Sequence, residues 1–286
     1  MNIKLSLIQT SQNRSFELSR FITSLNNQKN INFDEIQYIF VDQEQNREVF
    51  NSLDSRIELT YVAINKHCSL SFARNIGLNY VKGRYVAFPD DDCWYDSETL
   101  YKVFLILDEG KYMGVSGRGS NEIGILTNKF PNRSQDIKPS NQCGAISYTM
   151  FFYFNPNLKF DENIGVGSPY GLGSGEETDY MLTLMTKFNY KIKYDSSINI
   201  HHPILPSNNL NRYYEKSYLY ARGMGYLLSK HKLPLIYILI QYFRPLIGAI
   251  LFLPYKRDRA KKSVLLLIGR IDGFLYHRWI LKNRLF

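Results

Sequence analysis

Three acids in a row, Asp90, Asp91 and Asp92, follow a short apolar run at 84–88 and a proline, Pro89. Three carboxylates at the tip of a buried strand create an intense negative field, and leaving them uncompensated is costly. A hard divalent cation, Mg²⁺ or Mn²⁺, answers that need, because it prefers oxygen ligands and bridges protein carboxylates to phosphates. Such a cation can neutralise a diphosphate as it departs, which is Lewis-acid catalysis. A bare acidic triplet is also a common solvated turn. The apolar strand before it and the Ala73-Arg74-Asn75-Ile76-Gly77 pattern upstream set this one apart.

A second acidic group, Glu176, Glu177 and Asp179, comes after Gly173 and Gly175 and opens a helical stretch at 176–188. Acids in a first turn favour the helix dipole, so capping alone can explain them. Glycines ahead of them let the backbone approach a sugar closely, and a carboxylate there can take the proton of an attacking hydroxyl. Further on, His201 and His202 close an apolar stretch before Pro203. Adjacent strand residues face opposite ways, so one histidine of the two can reach a site at the strand tip.

The elements that must position these groups alternate. Apolar runs at 3–8, 35–41, 57–64 and 84–88 read as strands, and helical spacing at 15–28 and 71–81 lies between them, the latter stopped by Gly83. This order predicts an α/β fold with a doubly wound, mostly parallel sheet, whose ligands bind beyond the carboxyl ends of the strands. Gln9, Asp42 and Asp90–Asp92 all fall at such ends. The stretch 114–174 is rich in Gly, Asn, Ser and Pro and reads as strands joined by long loops; short strands at 191–194 and 197–201 follow the 176–188 helix.

The segment 71–92 resembles the Ala-Arg-Asn-x-Gly helix and DxD strand of family-2 glycosyltransferases with a GT-A fold, and the likeness extends over roughly residues 1–205. It implies an inverting transfer of a sugar from a nucleotide donor. Asp90 and Asp92 would be the outer members of the DxD motif, with Asp92 a metal ligand, Asp90 on the ribose or the metal, and Asp91 the middle member. Arg74 matches an arginine near the nucleotide. Gly173-Ser-Gly175-Glu176-Glu177 is similar to the family's GED-type motif, which makes Glu177 the expected base and Asp179 the second choice. By the same likeness Gly173, Gly175 and Glu176 lie on the acceptor side, as do Asp161 and the loop at 165–175, and His202 completes the metal ligands. Asp42 corresponds to an aspartate that meets the base, though Gln43, Glu44 and Gln45 replace the rest of that motif. Gln9 and Thr10 sit where the first strand meets the nucleotide.

The charge balance is informative once located. The chain carries 35 Lys and Arg against 26 Asp and Glu, a net of +9, and the excess lies wholly after residue 231, where Asp258 and Asp272 are the only acids. There an apolar run at 233–253 is about as long as a membrane span, roughly 20 residues. Pro234, Arg244 and Pro245 interrupt it, and an arginine within hydrocarbon is expensive. Lys256, Arg257, Arg259, Lys261 and Lys262 follow, then a further apolar helix at 263–275. This pattern predicts helices lying on an anionic membrane surface rather than a nucleic-acid site, whose motifs are absent.

Three scattered cysteines, Cys68, Cys93 and Cys143, form no disulfide framework, and the N-terminus lacks the apolar core of a signal peptide. A cytoplasmic enzyme at the inner face of the membrane is therefore expected, with a catalytic domain at 1–210 and a membrane-associating segment at 211–286. The expected partners are a nucleotide-sugar donor, preferably a UDP-sugar, and a saccharide acceptor, lipid-linked as in capsule or exopolysaccharide assembly. A nucleotidyltransferase should show a glycine-rich basic loop after its first strand, and 9–14 has none. A non-catalytic sugar- or lipid-binding protein is the other alternative.

Overall fold

In the computed structural model the described residues are 2–12, 14–64, 66–204 and 209–283. Asn13 of the 9–14 loop and Arg284 of the basic tail lie outside them. The chain forms two compact units. The first comprises residues 1–68, 72–160 and 183–204, the second 69–71, 161–182 and 205–286.

The first unit is built on strands and helices in the order β1 (Leu5–Ser11), α1 (Ser15–Asn26), β2 (Ile36–Asp42), β3 (Glu58–Ala63), α2 (Leu70–Leu78), β4 (Tyr85–Ala87), β5 (Trp94–Tyr95) and α3 (Thr99–Asp108). Then come β6 (Gly114–Ser120), β7 (Gln135–Asp136), β8 (Met150–Tyr153), the part of α4 (Glu176–Lys187) from Thr183 on, and β9 (Ile192–His201). The sheet runs β3-β2-β1-β4-β8-β6-β9-β5, with β7 also on β9. Pairings among β3, β2, β1 and β4, and between β6 and β9, are parallel; those of β8, β5 and β7 are antiparallel. The α/β fold is thus as the sequence predicts, with antiparallel strands added in the loop-rich middle. The two strands expected at 191–194 and 197–201 are one, β9, with a register irregularity of its partner at Ser116/Arg118.

Central strands β1 and β2 are buried on both faces, so they are mostly apolar and the polar Ser6 and Gln37 within them pair with each other at 2.6 Å. Leu18, Phe21, Ile22 and Leu25 of α1 repeat at helical spacing and enter the same core as Tyr38, Phe40, Tyr85 and Phe151. Gly77 explains one feature of the Ala-Arg-Asn-x-Gly pattern. A Cβ there would lie 2.5 Å from Ile8 Cγ2, so only glycine lets α2 close on β1.

The second unit joins 161–182 to α5 (Leu210–Lys230), α6 (Leu235–Phe252) and α7 (Arg257–Asn283). The boundary expected at 210 therefore leaves out a stretch that belongs with the C-terminal helices: Ile164 and Leu172 share a core with Tyr226 and Leu227. Helices α5 and α7 pack at backbone distance, because a Cβ on Gly225 would strike the Arg270 carbonyl and one on Gly273 the Arg222 carbonyl. Much of α6 faces outward, with Leu235, Ile236, Ile240, Phe243, Ile247 and Ile250 all exposed. It is the one helix among the described residues long and apolar enough to cross a membrane by length and composition.

Candidate active site

The acidic tip sits where β4 ends, and each carboxylate has a different set of partners. Asp90 Oδ1 accepts from Arg74 Nη2 at 3.0 Å and from Ser147 Oγ at 2.8 Å. Arg74, 2% exposed, is held between the rings of Phe88 and Phe160. Asp91 accepts from Ser11 Oγ at 2.8 Å. Burial raises its carboxyl to about 6, against the opposing pull of Arg14 and Ser11. Asp92 meets Arg14 Nη1 through Oδ2 and His202 Nε2 through Oδ1, the latter at 2.9 Å. Burial alone would raise Asp92, but His202 and Arg14 together hold it below the ordinary carboxylate range.

The meeting of Asp92 and His202 follows from strand pairing. β5 runs antiparallel to β9 with Trp94 opposite His201, so the residues just before β5 and just after β9 are neighbours. The two histidines then diverge as the strand pleat requires. His201 stacks on Trp94 at 5.1 Å and reaches Asp96 at 2.7 Å. His202 stacks on Tyr148 at 4.7 Å and turns to Asp92. Its Nδ1 lies 2.8 Å from the Pro203 carbonyl oxygen, which makes Nδ1 a donor. In the neutral ring Nε2 then carries the lone pair, the arrangement of a metal-ligating histidine with a backbone partner. Burial lowers the His202 pKa, yet the Asp92 hydrogen bond and charge outweigh it and the net shift is upward.

An oxygen from Asp92 and an imidazole nitrogen suit Mn²⁺ or Mg²⁺, and a cation already stands at Asp92 in the form of Arg14. The expected trio does not converge, however. Among the described residues no three His, Cys, Asp or Glu side chains gather around one point. Asp90 is drawn away because the buried Arg74 and Ser147 claim its oxygen. Two protein ligands, Asp92 and His202, fit the cation; Asp90 does not join them.

The other nucleotide-side expectations are placed as follows. Gln9 is 1% exposed and ties β1 to the tip, donating to the Asp90 carbonyl at 2.9 Å and accepting from Tyr38. Thr10 donates to the Val41 carbonyl and accepts from Gln43. Asp42 is wholly buried. It accepts from the backbone of Glu44 and Asn46, the Asn46 side chain and the Tyr61 hydroxyl. Four donors leave the Asp42 carboxylate organising its own loop. Burial pushes its pKa up, but those donors more than reverse it.

In the second unit the loop 161–175 leads to α4. Gly165 and Gly175 adopt φ of 109° and 102°, a region that favours glycine. The three acids of the first turn differ sharply. Glu176 is buried. Asp179 is buried and paired with Lys230 at 2.9 Å and His231 at 2.7 Å. Glu177 is half-buried. Lys230 also meets Asp161 at 2.6 Å, and Tyr226 donates to the same carboxylate at 2.8 Å. Gly173 lies against Leu219 of α5.

Several of these groups escaped sequence reasoning. Arg14 ends a loop that shows only polar residues, Ser147 and Tyr148 lie some 55 residues from the acids they adjoin, and Lys230 and His231 look like an ordinary basic helix end. Only Arg14 had a local signal, as a lone cation between the first strand and an amphipathic helix.

The family model described as "Glycosyl transferase family 2" matches residues 6–172, more than half of the chain. The chain belongs to glycosyl transferase family 2. This family-2 glycosyltransferase is 27% identical over 223 residues to the "Minor teichoic acid biosynthesis protein GgaB" of Bacillus subtilis (strain 168), a match covering 68% of the chain and 24% of that relative. The chain thus spans about a quarter of the relative's length. Its fold is similar to that of S. aureus TarS 1-349 in complex with UDP-GlcNAc, with a TM-score of 0.59, 17% identity, and coverage of 96% and 90% of the two chains. The mannosyltransferase PcManGT from Pyrobaculum calidifontis in complex with GDP-Man and Mn²⁺ gives 0.63, 12%, 96% and 88%. At such identities the likeness to the solved structures is one of fold.

Proposed function

We propose that this family-2 enzyme is an inverting, metal-dependent glycosyltransferase that moves a sugar from a UDP-sugar to a lipid-linked saccharide acceptor at the inner face of the cell membrane. The carrying observation is the Asp92–His202 pair, in which Nδ1 of His202 is committed to a carbonyl and Nε2 faces the carboxylate. A divalent ion held by these two residues would neutralise the diphosphate as its bond to the sugar breaks. Arg74 holds Asp90 in place through Oδ1, and Gln9 and Ser11 hold the backbone and side chains of the tip. Inversion in one displacement requires a base for the acceptor hydroxyl. Glu177 is assigned that role, because Asp179 is locked between Lys230 and His231 and Glu176 is buried.

The membrane setting rests on α6 and α7. Exposed apolar residues on α6 are followed by Lys256, Arg257, Arg259, Lys261 and Lys262, the chemistry that anionic headgroups and acyl chains reward together. The exposed Arg244 amid that face favours lying on the surface over crossing it. A role in cell-surface polysaccharide synthesis is in keeping with the name of the Bacillus relative. The test is a panel of UDP-, GDP- and dTDP-sugars screened for thermal stabilisation with and without Mn²⁺ or Mg²⁺. A UDP-sugar should raise the melting temperature only with metal. Equal stabilisation in chelator would overturn metal dependence, and preference for GDP or dTDP would overturn the donor.

A further inference from the structure

A cation already stands at the acidic tip. Arg14, at the end of the loop between β1 and α1, places Nη1 on Asp92 Oδ2 and 3.6 Å from Asp91 Oδ1. The remaining positive charges nearby are spoken for. Arg74 is buried against Asp90, and Arg20 donates to the backbone carbonyl of Asp92, stacks on Trp94 at 3.7 Å and meets Glu122 at 3.3 Å. Among the described residues Arg14 alone bridges the two carboxylates. Unlike Arg74, it is not packed in place, for its side chain is 37% exposed. No side-chain hydrogen bond caps α1 at this residue, so the guanidinium has no duty to the helix start.

We propose that Arg14 is a resident counter-cation that holds Asp92 until a divalent ion arrives, and that it then transfers to the donor diphosphate. The proposal rests on the metal reading of Asp92 and His202. A cation bound between these two residues takes Oδ1 from His202 and sets two further positive charges beside the guanidinium on Oδ2, which loosens the hold of Arg14 on Asp92. The displaced guanidinium is a planar fork suited to phosphate oxygens. The ion brings two positive charges and the diphosphate of a nucleotide sugar two negative ones, and any proton on Nε2 of His202 passes to solvent as that nitrogen ligates. Metal without nucleotide would gain Asp92 but strand Arg14; metal with nucleotide satisfies both. Binding of the two is therefore coupled through one side chain.

Mn²⁺ titrations, followed by the electron paramagnetic resonance of the free ion, test this on the full chain with and without UDP. Variants are Arg14→Gln, Arg14→Lys and Asp92→Asn. Without UDP, Arg14→Gln should bind Mn²⁺ about tenfold more tightly than the parent, the scale of one charge-assisted hydrogen bond removed from competition. Arg14→Lys should restore weak binding. With UDP the gain should vanish, and UDP affinity at saturating Mn²⁺ should fall in Arg14→Gln. If Arg14→Gln binds Mn²⁺ no better than the parent while Asp92→Asn still abolishes binding, the counter-cation role is overturned and the metal site stands. If the parent binds no Mn²⁺ even with UDP, the metal reading falls and takes this inference with it.

Discussion

A carboxylate's neighbours decide what it can do, and the six acids singled out at 90–92 and 176–179 show how. Asp179 is clamped between Lys230 and His231, whereas Glu177, two residues before it, is half-buried. Glu177→Gln should therefore cut transfer by about 10²–10⁴, the range for loss of a general base, with donor affinity kept. Isothermal titration with the UDP-sugar and a turnover assay check both halves; undiminished turnover would remove Glu177 from the mechanism. Asp161 offers a test in acid. Burial would raise its pKa, but Lys230 and Tyr226 hold it at about 2, against an ordinary value of 3.8. A depressed pKa contributes stability that is present above pH 3.8 and lost as pH falls toward 2. The contribution is on the order of 2 kcal/mol. Asp161→Asn should be less stable than the parent at pH 7, and the gap should close between pH 4 and 2 in urea unfolding. A constant gap would assign the effect to packing instead.

At the scale of elements, β5 and β9 matter most for the site and are the least visible in sequence. β5 is two residues long, yet its register with β9 brings Asp92 to His202, and the Arg20–Trp94–His201 stack braces the pair from behind. Helix α6 poses the opposite case, a plain apolar pattern whose meaning depends on what it faces. Placing a charge within an apolar membrane face costs about 2–3 kcal/mol, more than tenfold in binding. Phe243→Asp and Ile247→Asp should therefore release the chain from anionic vesicles in a flotation assay. Neutral vesicles should bind the parent more weakly, since the basic residues after α6 then have no counterpart. Retention of both variants on anionic vesicles would exclude α6 as the contact.

For the whole molecule, the discontinuous second unit changes how the C-terminal helices are regarded. They carry the exposed apolar face of α6, but Tyr276 and Ile280 of α7 also pack on the core formed by Ile164, Leu172, Tyr226 and Leu227. Ending the chain after residue 231 should thus loosen 161–175, well upstream. Hydrogen exchange of that loop is expected to rise at least tenfold while β1 and β2 stay protected. Unchanged protection would mean that the loop holds its shape without α7.

What the sequence determined by itself was whatever depends on neighbours along the chain. Alternating apolar runs and helical spacing specified the α/β order, and Asp90–Asp92 at a strand tip and the acids of the 176–188 helix marked the places for chemistry. Which groups meet was decided by tertiary structure. Arg74 and Ser147 draw Asp90 away from Asp92, four donors occupy Asp42, and His202 rather than His201 faces the acids. Each outcome is set by partners 4 to 110 residues away along the chain. A sequence states which side chains can be ionised or ligating, but their orientation follows from strand register and from competition among buried donors. Those depend on distances in space, which no local pattern contains.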